Sequence, residues 1–167
     1  MIIIGRYLGI VLLFIGAVLQ TSLFSELTVR GGRVDLVLLM VICWALFAGP
    51  EEAMVWAIAG GFWLDAAGGH MLGTSALVLV LIGWFVGSLQ ERRNFLLALL
   101  LTALGTAAYH ALLFMIFTLT GRQVALLDNV FNVTLPSLLL NVIVMLPVYR
   151  LFAVALRRAA PRRSVME

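Results

Sequence analysis

The chain has 167 residues, enough for one domain and few for two. It is 63% hydrophobic and 11% charged, with a mean hydropathy of +1.13, whereas soluble domains are about 45–50% apolar and 25% charged; this excludes an ordinary water-soluble enzyme and points to an integral membrane protein. The net charge of +3 does not indicate a nucleic-acid partner, because the 11 basic residues, all Arg, sit at the ends of apolar runs, where they anchor helices to anionic headgroups.

Residues 7–25 carry no charge and form the first predicted helix; the following "LQTSLF" offers no small-x-small cleavage site, so the segment is expected to stay as a helix. Residues 35–48 and 52–66 are joined by "AGPEEA", in which Pro50 and the pair Glu51 and Glu52 signal a helix start. Each of these arms reaches only about 21–22 Å, against a hydrocarbon core of about 30 Å. They are either a re-entrant hairpin or two short spans. Trp44, Trp56 and Trp63, amphipathic residues expected near the interfaces, favour two spans. Residues 71–89, 95–119 and 130–156 complete the set, with Pro136 and Pro147 expected to kink the last. The result is an all-α integral membrane bundle of six transmembrane helices, a single domain over 1–157 followed by a basic tail over 158–167.

With six spans both termini share a side, and that side carries Arg6, Arg92, Arg93, Arg150, Arg157, Arg158, Arg162 and Arg163 against Arg30, Arg33 and Arg122 opposite. The positive-inside rule places both termini in the cytoplasm.

Within the spans, small residues recur at helical spacing: Ala53, Ala57, Gly60 and Gly61 on the third helix, and Ala76, Gly83 and Gly87 on the fourth. The fifth places Ala103, Thr106, Ala107 and His110 on one face, and the sixth aligns Thr134, Ser137 and Asn141. Asp65 stands out in "WLDAAGGHMLGTSAL": a carboxylate deep in a bilayer is costly and faces a partner or water, while Gly68, Gly69 and Gly73 allow a tight turn beside it. The polar-core and partner-binding candidates are therefore Glu51, Glu52, Gly61, Asp65, Gly69, Gly73, His110 and Asn141, and an Asp65–His110 contact is compatible in depth. Glu51 and Glu52 serve either as a helix start or as a cytoplasmic docking point. Cys43, in an apolar run, reads as a small buried hydrophobe. With only His70 and His110, no second Cys, no Walker loop and no metal-ligand cluster, neither catalysis nor a cofactor is expected.

The stretch "GGFWLDAAGGHMLGTSAL" (60–77) resembles the Gly-x-x-x-Leu-Asp-x-x-x-Gly-x-x-Leu-Gly signature of the MreD family of rod shape-determining membrane proteins. "LQTSLF", "VDLVLLMVICWALFAGPEEA", "ERRNF" and "LPSLLLNVIVMLPVY" agree in order and spacing, so the resemblance covers nearly the whole chain; it departs locally at Val34 and at Glu52–Ala53. The resemblance implies a non-enzymatic component of the bacterial inner membrane that acts in cell elongation. It also implies MreC as partner, with links to RodA and its class B penicillin-binding protein and, indirectly, to MreB. The implied fold is similar to the substrate-binding subunits of energy-coupling-factor transporters. Three expectations follow: a scaffold for MreC, which leads; a transporter subunit, which would show an outward pocket of convergent polar or aromatic groups; and a handler of lipid-linked precursors, which would want more outward Arg residues than Arg30, Arg33 and Arg122 supply.

Overall fold

The structure, a computed structural model, describes residues 2–22, 28, 30–68, 71–92, 94–121 and 129–159. The described chain is organised as α1 (Ile2–Ser22), α2 (Leu36–Ala48), α3 (Pro50–Gly68), α4 (Thr74–Gly87), α5 (Phe95–Leu119) and α6 (Leu135–Ala159). A 3₁₀ turn at Gln90–Arg92 precedes α5, and a π-helical turn at Val130–Thr134 runs into α6.

The packing contacts give the directions of the helices. Gly9 and Gly60 bring α1 and α3 together, against Trp56 and Leu13 respectively, in parallel register, while Gly16 meets Met40 of the oppositely directed α2. On α3 and α4 the close approaches are Gly61 on Ala76, Ala53 on Gly83 and Pro50 on Gly87, an antiparallel pairing along the full length of α4. A Cβ on Gly61 would lie 2.2 Å from the Ala76 Cα, so this crossing exists only because neither residue is larger. Further contacts, Phe47–Tyr149 between α2 and α6 and Phe95–Tyr149 between α5 and α6, continue the alternation.

α2 is the centre of the bundle. Nine of its 13 residues are buried, from Val37 to Leu46, because its run of Leu, Val, Ile and Met is apolar all round. The outer helices are inverted relative to a soluble protein. Phe62, Leu77, Leu81, Trp84, Phe85, Leu100, Leu104, Leu139 and Ile143 are all exposed, an apolar belt far larger than water tolerates. Phe95–Leu119 and Val130–Leu156 are long and apolar enough to cross a membrane; Gly9–Ser22, Leu36–Ala48 and Thr74–Gly87 are shorter apolar helices.

Three expectations change. The span predicted over 71–89 is a helix only from Thr74 to Gly87, because Met71–Gly73 form a turn, Gly73 takes a left-handed φ of 97°, and the helix gives way to a turn at Ser88. α3 is longer than predicted, 19 residues or about 28 Å. Trp56 faces the inside of the bundle and not its surface: it is 3% exposed, stacked on Trp44 with ring centroids 4.3 Å apart, under Gly9 of α1. Its indole packs between helices, an environment that a one-helix projection does not reveal.

Gly61→Ala is expected to lower stability in detergent by about 1–3 kcal/mol through overpacking against Ala76. Ile58→Val, on the exposed face of the same helix, is expected to leave thermal unfolding unchanged.

Candidate functional site

The segment Gly31–Asp35 enters α2 by running along the first turns of α6. Gly31 and Gly32 approach Asn132 and Pro136 so closely that a Cβ on Gly32 would lie 2.5 Å from the proline Cβ. The backbone N–H of Arg33 donates to Ser137 Oγ at 2.9 Å, and that of Asp35 to Asn141 Oδ1 at 2.8 Å. The register is geometric: two residues of extended chain and four residues of helix both advance about 6–7 Å.

Asn141 is fully buried, and its amide is used on both sides. Its Nδ2 donates to Asp35 Oδ2 at 2.9 Å and to Thr106 Oγ1 at 3.0 Å. The orientation of the amide is dictated by the Asp35 N–H, which can only donate. His110 Nε2 lies 3.3 Å from Asp35 Oδ2, within ion-pair distance. Asp35, 4% exposed, therefore joins α2, α5 and α6 at one point. Alongside, Gln20 of α1 accepts from the Val37 N–H through Oε1 at 3.0 Å, so the start of α2 is capped by side chains from two other helices rather than by its own Asp35, which makes no cap bond.

Asp65 has a different task. Its Oδ2 accepts from the Gly73 N–H at 2.8 Å, and its Oδ1 from the Ser75 N–H at 3.0 Å, so the carboxylate at the end of α3 caps the start of α4. The negative charge faces the positive end of the α4 dipole. This corrects the expected Asp65–His110 contact: His110 pairs with Asp35. Ser75, held by Asp65, and Tyr109, next to His110 on α5, line a common cavity with Asp35. The Asp65 side chain is committed to backbone N–H groups ten residues or fewer away, a local solution that leaves none for α5.

Of the other candidates, Gly61 is the α3–α4 contact and Gly73 the left-handed turn, whereas Glu51 and Glu52 begin α3 at the opposite end of the bundle. Gly69 and His70 lie outside the described residues. The structure thus brings His110 and Asn141 together at Asp35 and leaves Asp65 at the α3–α4 turn. Reasoning from sequence missed Asp35, Ser137 as a bonding group, and Gln20. Asp35 stands at the edge of an apolar run, where nothing local points to a partner 106 residues away.

Above this junction is a cavity of about 440 Å³, at the end of the bundle where α1 and α3 finish and α2 and α4 begin. Its lining combines polar groups, Gln20, Arg33, Asp35, Ser75, Tyr109 and His110, with the apolar Leu113, Phe114 and Phe117 of α5. Among the described residues no group of three or more His, Cys, Asp and Glu side chains is placed to hold a metal ion.

A helical bundle with an apolar exterior, long hydrophobic helices and a polar junction sealed inside is a membrane protein. The chain belongs to the MreD family: the model of rod shape-determining protein MreD matches residues 1–159. Its role therefore lies in determining rod shape, in a family of structural membrane proteins not known for catalysis. No curated protein and no solved structure gives a significant match.

Asp65→Ala is expected to lower stability by about 1–2 kcal/mol, the cost of losing a cap, and Asp65→Asn by less because one acceptor remains. A double-mutant cycle of Asp35→Leu with Asn141→Leu is expected to give a coupling of about 1–2 kcal/mol, above the ~0.6 kcal/mol typical of one bond between membrane helices. The same cycle on Asp65 and His110 is expected to give none beyond error.

Proposed function

We propose that the chain is a multi-pass scaffold of the bacterial inner membrane, with both termini in the cytoplasm, that binds MreC and helps organise cell-wall synthesis during elongation. The observation that carries this reading is the match to the rod shape-determining family over residues 1–159. Supporting it is the division of labour in the bundle: polar groups are spent on internal junctions, while the flanks are apolar and available to other membrane helices. An apolar groove of about 230 Å³ runs between α4 and α5, with Phe85, Leu101, Leu104 and Ala108 among its walls, and is a suitable seat for a single transmembrane helix such as MreC's. The basic residues near Arg92 and Arg150 would face the cytoplasm.

A second reading, a substrate-binding subunit of an energy-coupling-factor transporter, is favoured by one observation: the cavity combines convergent polar groups with an aromatic wall.

The test is purification of the tagged protein from its own membranes in mild detergent, with identification of what accompanies it. MreC in near-equal amount is expected. An ATPase pair with its coupling membrane subunit would replace the scaffold with the transporter. Ala108→Trp, which fills the α4–α5 groove from a half-buried position, is expected to reduce MreC recovery several-fold without loss of the folded protein.

A further inference from the structure

The cavity above Asp35 has features that the internal junction does not require. A carboxylate buried in a membrane protein is normally matched by a cation and by bonds to both its oxygens. Asp35 Oδ2 has Asn141 and His110, but Oδ1 has no hydrogen bond, and it is not among the buried atoms sealed from solvent. The same holds for Gln20 Nε2, whose partner oxygen is occupied by Val37, whereas His110 Nε2 is paired with Asp35 and its Nδ1 is sealed without a partner. All three residues line the cavity. A carboxylate oxygen and an amide N–H₂ therefore face one space with their bonding capacity unused. Among the described residues, the one basic side chain in ion-pair range of Asp35 is His110.

At the rim stands Arg33, exposed, two residues from Asp35 and held by its backbone to Ser137. The site thus presents negative charge at its floor and positive charge at its mouth, with Phe114 and Phe117 on α5 beyond His110. The volume of about 440 Å³ is within the ordinary range of small-molecule sites, about 300–1,000 Å³.

We propose that this cavity binds a zwitterion with a primary ammonium group joined by a short linker to an anionic oxygen group. The ammonium donates to Asp35 Oδ1, the anionic group meets the Arg33 guanidinium, and any apolar portion lies on Phe114 and Phe117. An aminophospholipid headgroup and a free phosphoamine share this chemistry. Asn141 and Thr106 lie on the closed side of Asp35 and hold its carboxylate in place for the ammonium.

The test uses the purified full chain in a neutral maltoside detergent, with binding followed by native mass spectrometry and by thermal shift. The probes are O-phosphoethanolamine, dihexanoyl phosphatidylethanolamine, and dihexanoyl phosphatidylglycerol, which has the phosphate and chains without the amine. Saturable binding of one or both amine probes, with phosphatidylglycerol at least about tenfold weaker, is expected. Binding of the soluble phosphoamine would show that the headgroup suffices, and binding of the lipid alone that the acyl chains are needed. Arg33→Gln, whose exposed side chain bears no part of the internal network, is expected to weaken binding about tenfold at unchanged thermal stability, and Asp35→Asn to abolish the preference for the amine. Should Asp35→Asn fail to fold, the preference for amine over glycerol and the Arg33→Gln result decide the matter. Equal binding of the two lipids, no saturable binding of either amine probe, or native affinity in Arg33→Gln would overturn the proposal. None of these outcomes depends on whether MreC co-purifies.

Discussion

A carboxylate with no Arg in ion-pair range among the described residues, buried where three helices meet, is the constraint around which the rest of this bundle is arranged. Asp35 is held by the Asn141 amide through both its side chain and its own backbone N–H, and by the proximity of His110. In lipid, apolar side chains gain little by leaving the acyl chains for one another, so polar junctions of this kind set which helices meet and at what height. Because Asn141 also engages Thr106, the position of α5 along α6 is specified to within a side chain, and Gln20 adds α1 to the same level. The approach of the chain to α2 across α6 demands glycine at positions 31 and 32, where any Cβ would meet the α6 backbone or Pro136.

The α3–α4 hairpin solves the same problem differently. Its long seam is built from Gly61, Ala53 and Gly87, where dispersion between closely approaching backbones replaces side-chain burial. Its turn is closed by Asp65, which satisfies two N–H groups at the start of α4 that would otherwise be orphaned away from water. Asp35 and Asp65 are thus both structural carboxylates, yet only Asp35 keeps an oxygen toward the cavity. Ser75, bonded to Asp65, lines the same cavity as Asp35.

A rigid interior of this kind leaves two surfaces for function: the apolar flanks, suited to the helices of other membrane proteins, and the polar cavity at one end. The first accords with a family concerned with rod shape, and the second is the site proposed for a zwitterion. The two do not compete for residues. The α4–α5 groove and the cavity are lined by different parts of α5, the former by Leu101, Leu104 and Ala108, the latter by Tyr109 and His110 and by Phe114 and Phe117 beyond them.

Composition determined that this chain belongs in a membrane, and its long unbroken apolar runs that it is helical, since a barrel strand would alternate apolar and polar residues. Helical spacing also revealed the small faces of α3 and α4, because Gly and Ala repeat there one turn apart, and it singled out His110 and Asn141 as polar residues inside apolar runs. Tertiary structure alone decided their partners. Asp65 and His110 match in depth, but depth is one coordinate; the turn geometry gave Asp65 to Gly73 and Ser75, and the path of residues 31–35 across α6 carried Asp35 to His110. Bonds such as those of Asp35 with Asn141 and of Asn141 with Thr106 join residues 106 and 35 positions apart, and no local pattern encodes a contact that exists only after helices far apart in the chain have packed side by side.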